Sequence, residues 1–266
     1  MEQQDVLAKE IRQVADLMAD AAWAAISPYF RQSDFGLANK AGEGAFDPVT
    51  DADKAAERAM RAVLADLRPE DGILGEEEGR KDGSSGLTWV LDPIDGTRAF
   101  IAGAPSWGTL IAVNRGEAPL FGMIDQGYLG ERFSGGFGRA ELVRNGFATP
   151  LSTHAARTLD QAILMTTFPE VGTQDERLAF ERVRDATRLT RYGLDCYGYA
   201  LVALGQVDLV IEAGLQSYDI QGPMAVVEAA GGVVTNWQGG PAHEGGQVIA
   251  AANAEIHAEA LALLNG

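Results

Sequence analysis

The hexapeptide Asp92-Pro93-Ile94-Asp95-Gly96-Thr97 concentrates residues that can do chemistry. Two aspartates stand three residues apart, directly after the apolar run Thr88-Trp89-Val90-Leu91. Clustered carboxylates repel one another unless a cation compensates them. Carboxylates, a backbone carbonyl and water are the ligands that hard Mg²⁺ prefers. Pro93 stiffens the turn so that both side chains and the Ile94 carbonyl can converge. Gly96 lets the backbone approach a phosphate closely, with the next N–H groups directed at it. Thr97 offers a hydroxyl to orient a water. An ordinary Asp-Pro, Asp-Gly turn would use the same residues, so the hexapeptide alone leaves metal binding and a plain turn both open.

Three further acidic groups shift that balance. Glu76-Glu77-Glu78 follow a short strand, Asp47-Pro48-Val49-Thr50-Asp51-Ala52-Asp53 precede a helix, and Ser217-Tyr218-Asp219 begin another. Solvation accounts for Glu78 and helix capping for Asp51. Taken together, the groups supply the separated carboxylates of a multi-metal phosphoryl-transfer site, in which metals bind the attacking and leaving oxygens.

The elements that must position these acids are legible as periodicities. Leu7, Ile11, Val14, Met18, Ala22 and Ala25 form one face of an amphipathic helix that ends near Ser27-Pro28. A Gly-rich loop runs from Asn39 to Asp47. Thr50 or Asp51 caps a second helix that turns Ala56, Met60, Val63 and Leu67 inward. Residues 72–75 and 88–91 read as short strands, the second delivering Asp92 at its end. From Trp107 to Leu142 the short apolar runs predict an antiparallel meander. Beyond it, strands are expected at 162–166, 207–211, 232–235 and 248–251. Helices are expected at 175–186, 196–204, 219–230 and 254–264, with Pro223 confined to the first turn of its helix. This alternation argues for a layered α/β sandwich, read as one domain over 1–266 with halves of about 1–150 and 151–266.

Composition excludes several classes of function. The 266 residues are 46% hydrophobic, enough for a sizeable core. A net charge of −17, from 38 acidic and 21 basic residues, disfavours nucleic acid and anionic membranes as partners. One cysteine, Cys196, precludes an intramolecular disulfide. It reads as a buried small apolar residue rather than a nucleophile. A polar, acidic N-terminus and the lack of a long apolar run predict a cytoplasmic protein with no membrane span. The three scattered histidines argue against zinc chemistry and a histidine-based triad.

With these motifs in order along nearly the whole chain, the sequence resembles the inositol monophosphatase superfamily of Mg²⁺-dependent, lithium-sensitive phosphatases. The resemblance is carried by residues 47–53, Leu74-Gly75-Glu76-Glu77, residues 89–97, Tyr218-Asp219 and Glu228-Ala229-Ala230-Gly231-Gly232-Val233-Val234. It implies a five-layered αβαβα sandwich, a homodimer, two or three Mg²⁺ ions and inhibition by lithium. It assigns Glu76, Asp92 and the Ile94 carbonyl to a first metal, and Asp92, Asp95 and Asp219 to a second. Thr97 and Asp53 match the pair that activates the attacking water. Glu77, with Glu76, matches the acidic turn near a third metal, and Gly96 and Thr97 match the phosphate-binding backbone. The family often carries a lysine about ten residues before the position of Asp53; the nearest here, Lys40, receives no role.

Within the superfamily the stretch from Thr97 to Ile111, together with Asp195-Cys196-Tyr197, is most similar to histidinol-phosphate phosphatases, although Leu194 replaces their usual second glycine. That resemblance implies hydrolysis of histidinol phosphate in histidine biosynthesis. Alternatives are inositol monophosphate or a sugar phosphate as substrate, and a non-catalytic role in a transcription complex. Glu212 and Asp195 are the candidate leaving-group contacts, and Asp195 could equally serve as a helix N-cap.

Overall fold

The three-four spacing near the N-terminus builds α1 (Glu2–Ile26) in the computed structural model, which describes residues 2–32, 36, 38–39, 48–116, 118–154 and 157–266. Its apolar stripe buries Ile11, Val14, Met18 and Ala22. Residues 40–47, with Lys40, Asp47 and most of the expected Gly-rich loop, lie outside the described residues. The rest of the first half comprises β1 (Ala38–Asn39), β2 (Pro48–Val49), α2 (Asp51–Leu67), β3 (Gly72–Gly75), β4 (Gly79–Lys81), β5 (Thr88–Asp95) and α3 (Thr97–Ala102). The meander follows as β6 (Gly108–Asn114), β7 (Pro119–Gln126), β8 (Glu131–Gly136), β9 (Arg139–Arg144) and β10 (Phe147–Pro150). The second half holds β11 (Ile163–Thr166), α4 (Gln174–Ala186), β12 (Leu189–Tyr192), α5 (Asp195–Ala203) and β13 (Leu209–Leu215). It closes with α6 (Ser217–Ala229), β14 (Val233–Thr235), β15 (Gly246–Ala251) and α7 (Ala254–Asn265).

Pairing sorts these strands into two large sheets. Eight strands run in the order β10-β9-β8-β7-β6-β5-β3-β4, and five in the order β12-β11-β13-β15-β14. Helices α1 and α2 cover the outer face of the larger sheet, α5 and α6 lie between the sheets, and α4 and α7 cover the smaller one. This is the expected five-layered αβαβα sandwich. Its apolar interior falls into an outer cluster with Ile11, Met60 and Trp89, a middle one with Phe133, Val226 and Val248, and a third with Phe180, Ile249 and Ile256. The middle cluster draws side chains from both sheets, which locks the two halves' acids to one another.

Several local expectations differ from the structure. The buried row of α2 passes through Leu64, and Leu67, the last residue of the helix, is 44% exposed. Helix α6 starts at Ser217, so Pro223 occupies its second turn rather than its first. Proline has no N–H to donate to the Asp219 carbonyl four residues earlier. Strand β5 continues through Asp95, and β13 runs on past Ile211 to Leu215. The short elements α3, β4, β10 and β12 offer too few residues for a periodic signal.

One close approach sets where α6 stands. A Cβ on Gly122 of β7 would lie 2.2 Å from the Gly222 carbonyl oxygen and 2.8 Å from the Ala225 Cβ. Glycine at 122 therefore lets helix and sheet touch backbone to backbone. We expect Gly122→Ala to cost about 1–3 kcal/mol through overpacking, read as a lowered urea midpoint. Because α6 also carries Asp219, the metal concentration needed for half-maximal activity should rise. A variant equal to wild type in both measurements would refute this role.

Candidate active site

Two devices bring the hexapeptide's acids together. Strands β3 and β5 are parallel neighbours, with Gly75 opposite Leu91, so Glu76 and Asp92 emerge side by side at their C-terminal ends. Within β5, residues three apart would ordinarily point to opposite faces of the sheet. Here Asp92 pairs with Leu110 and Asp95 with Gly108, three residues against two. The extra residue is a β-bulge, which re-aims the later side chain, and the Thr109 hydroxyl donates to the Pro93 carbonyl at 2.8 Å within it. The result is that one oxygen each from Asp92, Asp95 and Asp219 lie within 4.8 Å of one another.

Helix N-termini anchor three of the acids by one oxygen apiece. Asp53 is the third residue of α2 and accepts the Thr50 N–H at 2.8 Å in a capping box with Thr50. Asp219 holds the same place in α6 and accepts the Gln216 N–H at 2.7 Å. Asp95 accepts the Cys196 N–H at 2.7 Å, at the start of α5. Each contact favours the ionised carboxylate through the partial positive charge of the helix end. Asp51 is not the cap; Thr50 is.

Burial opposes that charge. Asp53 is pushed up to about 6 by desolvation, with its Thr50 hydrogen bonds working the other way. Asp219 is pushed up to about 7, again mainly by burial. Asp92 and Asp95 are raised well above the usual range by burial and then by neighbouring acids, Glu76 foremost for Asp92 and Asp195 for Asp95. Asp92 Oδ1 and Asp53 Oδ1 are buried without a hydrogen-bond partner. Hard oxygen donors, mutual repulsion and orphaned oxygens are the features a site for a hard divalent cation should have, so the residues fit such a metal.

A cavity of about 490 Å³ opens above this cluster. Glu76, Asp95, Gly96, Thr97, Asp195, Glu212 and Asp219 all line it. Asp92 is buried at the cluster, and Ile94, also buried, lies two residues further along the strand. Asp53 and Glu77 do not reach the cavity wall; the Glu77 backbone N–H donates to Glu57 at 2.7 Å. The Thr97 hydroxyl donates to the Ile94 carbonyl at 3.2 Å, and no bond joins it to Asp53 among those described. Gly96 takes a left-handed φ of 86°, and a Cβ there would meet the Asp195 carboxyl carbon at 2.8 Å.

Asp195 is not the N-cap of α5. Leu194 holds that place, and Asp195 is the first helical residue, with φ of 47°. Its Oδ2 accepts the Ser106 hydroxyl at 3.1 Å. Burial raises its carboxyl, offset by Ser106 and by the positive charge of Arg98. Glu212 is fixed by three donors, the Thr166 hydroxyl at 3.1 Å and the Thr167 N–H and hydroxyl at 2.7 and 2.9 Å. Burial pushes it up to about 7.

Sequence reasoning missed four contributors. Glu57, fully buried one turn after Asp53, accepts the Glu77 and Glu78 N–H groups at 2.7 and 3.0 Å and pairs with Arg61 at 2.8 Å. It thereby holds the acidic turn in shape, and its i+4 spacing from Asp53 was a usable signal. Tyr199 lines the cavity, and Arg98 stacks over the Phe168 ring, 5.0 Å to its centre, on the cavity wall.

The sandwich and its acidic cavity define a metal-dependent phosphatase. The chain belongs to the inositol monophosphatase family, whose model matches residues 7–265. It is 41% identical over 259 residues to the chloroplastic bifunctional phosphatase IMPL2 of Arabidopsis thaliana, covering 93% of this chain and 73% of that one. It is 35% identical to a histidinol-phosphatase of Streptomyces coelicolor, covering 95% and 96%. An inositol monophosphatase structure from Zymomonas mobilis superposes with a TM-score of 0.83 at 40% identity, covering 96% and 97%.

The raised carboxyls dictate a pH dependence for the metal-free protein. Unfolded aspartates titrate near 3.8, whereas Asp53 and Asp219 in the fold titrate near 6 and 7. Between those values the folded state holds protons that the unfolded chain has released, so stability falls as pH rises from about 4 to about 7. With EDTA present, the unfolding free energy from urea melts should drop across that window by about 1 kcal/mol per pH unit, and saturating divalent metal should flatten the slope. Asp92→Asn should raise metal-free stability at neutral pH while abolishing nearly all activity. Metal-free melting that climbs with pH would contradict this account.

Proposed function

We propose that this protein is a Mg²⁺-dependent phosphatase that hydrolyses histidinol phosphate to histidinol and phosphate. The single observation that carries the substrate is Asp195, a half-buried carboxylate at the cavity wall beside Gly96, with Glu212 as a second acid in the same cavity. Beyond its phosphate, histidinol phosphate carries a protonated amine and an imidazole, and inositol monophosphate carries only hydroxyls. Carboxylates where the leaving group lies favour the former. Likeness to the Streptomyces coelicolor histidinol-phosphatase along nearly both chains supports the same choice.

Glu76, Asp92, Asp95, Asp219 and the Ile94 carbonyl would hold two Mg²⁺ ions, with the Glu76-Glu77 turn near a third. When bound, Mg²⁺ supplies charge that neutralises these carboxylates and polarises the reacting oxygens. The backbone at Gly96 and Thr97 holds the phosphate. The Thr97 hydroxyl, already donating to Ile94, keeps lone pairs to accept from the attacking water. Asp53 Oδ1 lies behind the cavity wall without a hydrogen-bond partner, and it would accept the water's second hydrogen where that water enters the acidic cluster. Asp195 takes the substrate amine. Lithium should inhibit by competing at these hard-oxygen sites.

Replacing Thr97 by alanine should lower kcat about 10²- to 10⁴-fold with a smaller change in KM; a change in KM alone would reduce Thr97 to phosphate binding. Asp195→Asn should lower kcat/KM for histidinol phosphate about ten- to a hundredfold, the worth of a charge-assisted hydrogen bond, and by much more than for an aryl phosphate. A wild-type enzyme that prefers inositol monophosphate would overturn the substrate assignment.

A further inference from the structure

Tyr199 follows Asp195 by four residues on α5, so the two side chains leave the same face of the helix one turn apart. Both line the cavity. Tyr199 is 3% exposed, and its hydroxyl is buried with no hydrogen-bond partner. Burial, and after it the charge of Glu212, keeps that hydroxyl protonated, so it is a donor looking for an acceptor. Glu212 does not accept it; Thr166 and Thr167 fill three of that carboxylate's four acceptor sites and fix its direction, which leaves one site open to the cavity.

Leaving a buried hydroxyl unpaired costs about 1–3 kcal/mol. Phenylalanine would fill the same space among Cys196, Ala200 and Val210 in the middle apolar cluster without that cost. Packing therefore explains the ring and not the oxygen. The wall around it offers a fixed acceptor at Glu212 and a free donor at Tyr199. A neutral imidazole presents the complement, one N–H and one nitrogen lone pair on a rigid ring.

We propose that Tyr199 is a specificity-determining residue whose hydroxyl donates a hydrogen bond to the imidazole nitrogen of the leaving group, while Glu212 accepts from the other ring nitrogen. This inference rests on the substrate reading above and deepens it. Asp195 selects the amine, and Tyr199 selects the ring one helical turn deeper.

The test is Tyr199→Phe in the full-length, metal-loaded enzyme. Kinetics are measured on histidinol phosphate, inositol monophosphate and p-nitrophenyl phosphate, with histidinol as product inhibitor and a melting curve alongside. The expected result is a loss of kcat/KM on histidinol phosphate at least threefold larger than on the other two esters, carried by KM. Histidinol should also inhibit about three- to tenfold more weakly, while the melting temperature stays level or rises. Equal losses on all three esters would overturn the proposal by making the hydroxyl part of the common phosphate machinery. So would unchanged histidinol inhibition, or a lowered melting temperature with no change in selectivity. The wild-type panel scores the substrate reading separately: if wild type prefers inositol monophosphate, that reading fails, whereas a wild type that prefers histidinol phosphate paired with an unselective Tyr199→Phe defeats only the role of Tyr199.

Discussion

Electrostatic repulsion among carboxylates crowded into one small volume is the constraint on which the rest of this structure depends. Burial raises Asp92, Asp95 and Asp219, and the charge of neighbouring acids, Glu76 and Asp195 among them, raises them further. A chain pays for such crowding unless something positive meets it. Part of the compensation is built in, because the N-terminal ends of α2, α5 and α6 converge on the cluster and each donates a backbone N–H to one acid. The remainder is what a divalent cation supplies.

That convergence explains why the sandwich has its middle layer. Asp92 and Asp95 come from the larger sheet, and Asp195 and Asp219 come from helices lying between the two sheets. Their separation is set by how closely α6 lies on β7, and therefore by the lack of a side chain at Gly122. The lack of a Cβ at Gly96 sets, in the same way, how closely Asp195 approaches the phosphate-side turn. Two bare positions thus define the spacing of acids that lie more than a hundred residues apart in sequence.

Asp53 and Asp219 each close a capping box and still face the acidic cluster. A carboxylate has two oxygens. In both residues one oxygen closes a capping box and fixes the side chain; the second oxygen of Asp53 has no partner, and Asp219 joins the carboxylate cluster with Asp92 and Asp95. The anchoring removes rotamer freedom from the ligand before any metal arrives, which is the physical content of preorganisation.

Much of the site was legible from local pattern. The Asp92–Thr97 turn, the three further acidic groups, the amphipathic helices and the alternation of strands and helices follow from residue type and spacing, because capping, turn formation and periodic burial are short-range effects; the choice of Asp53, Glu76 and Asp219 within those groups rests on the family resemblance. Longer-range features were not legible. The bulge that turns Asp95 toward Asp92 depends on pairing with β6. The buried Glu57 under the acidic turn depends on α2 meeting the end of β3. The start of α6 ahead of Pro223 depends on the cap at Gln216, and the unpartnered Tyr199 hydroxyl depends on α5 facing β13 across the cavity. Sequence alone determined which groups could carry charge and how each sits on its own element. Tertiary structure decided which of those groups share a dielectric environment, since burial and charge–charge repulsion act through space between residues that the chain places far apart.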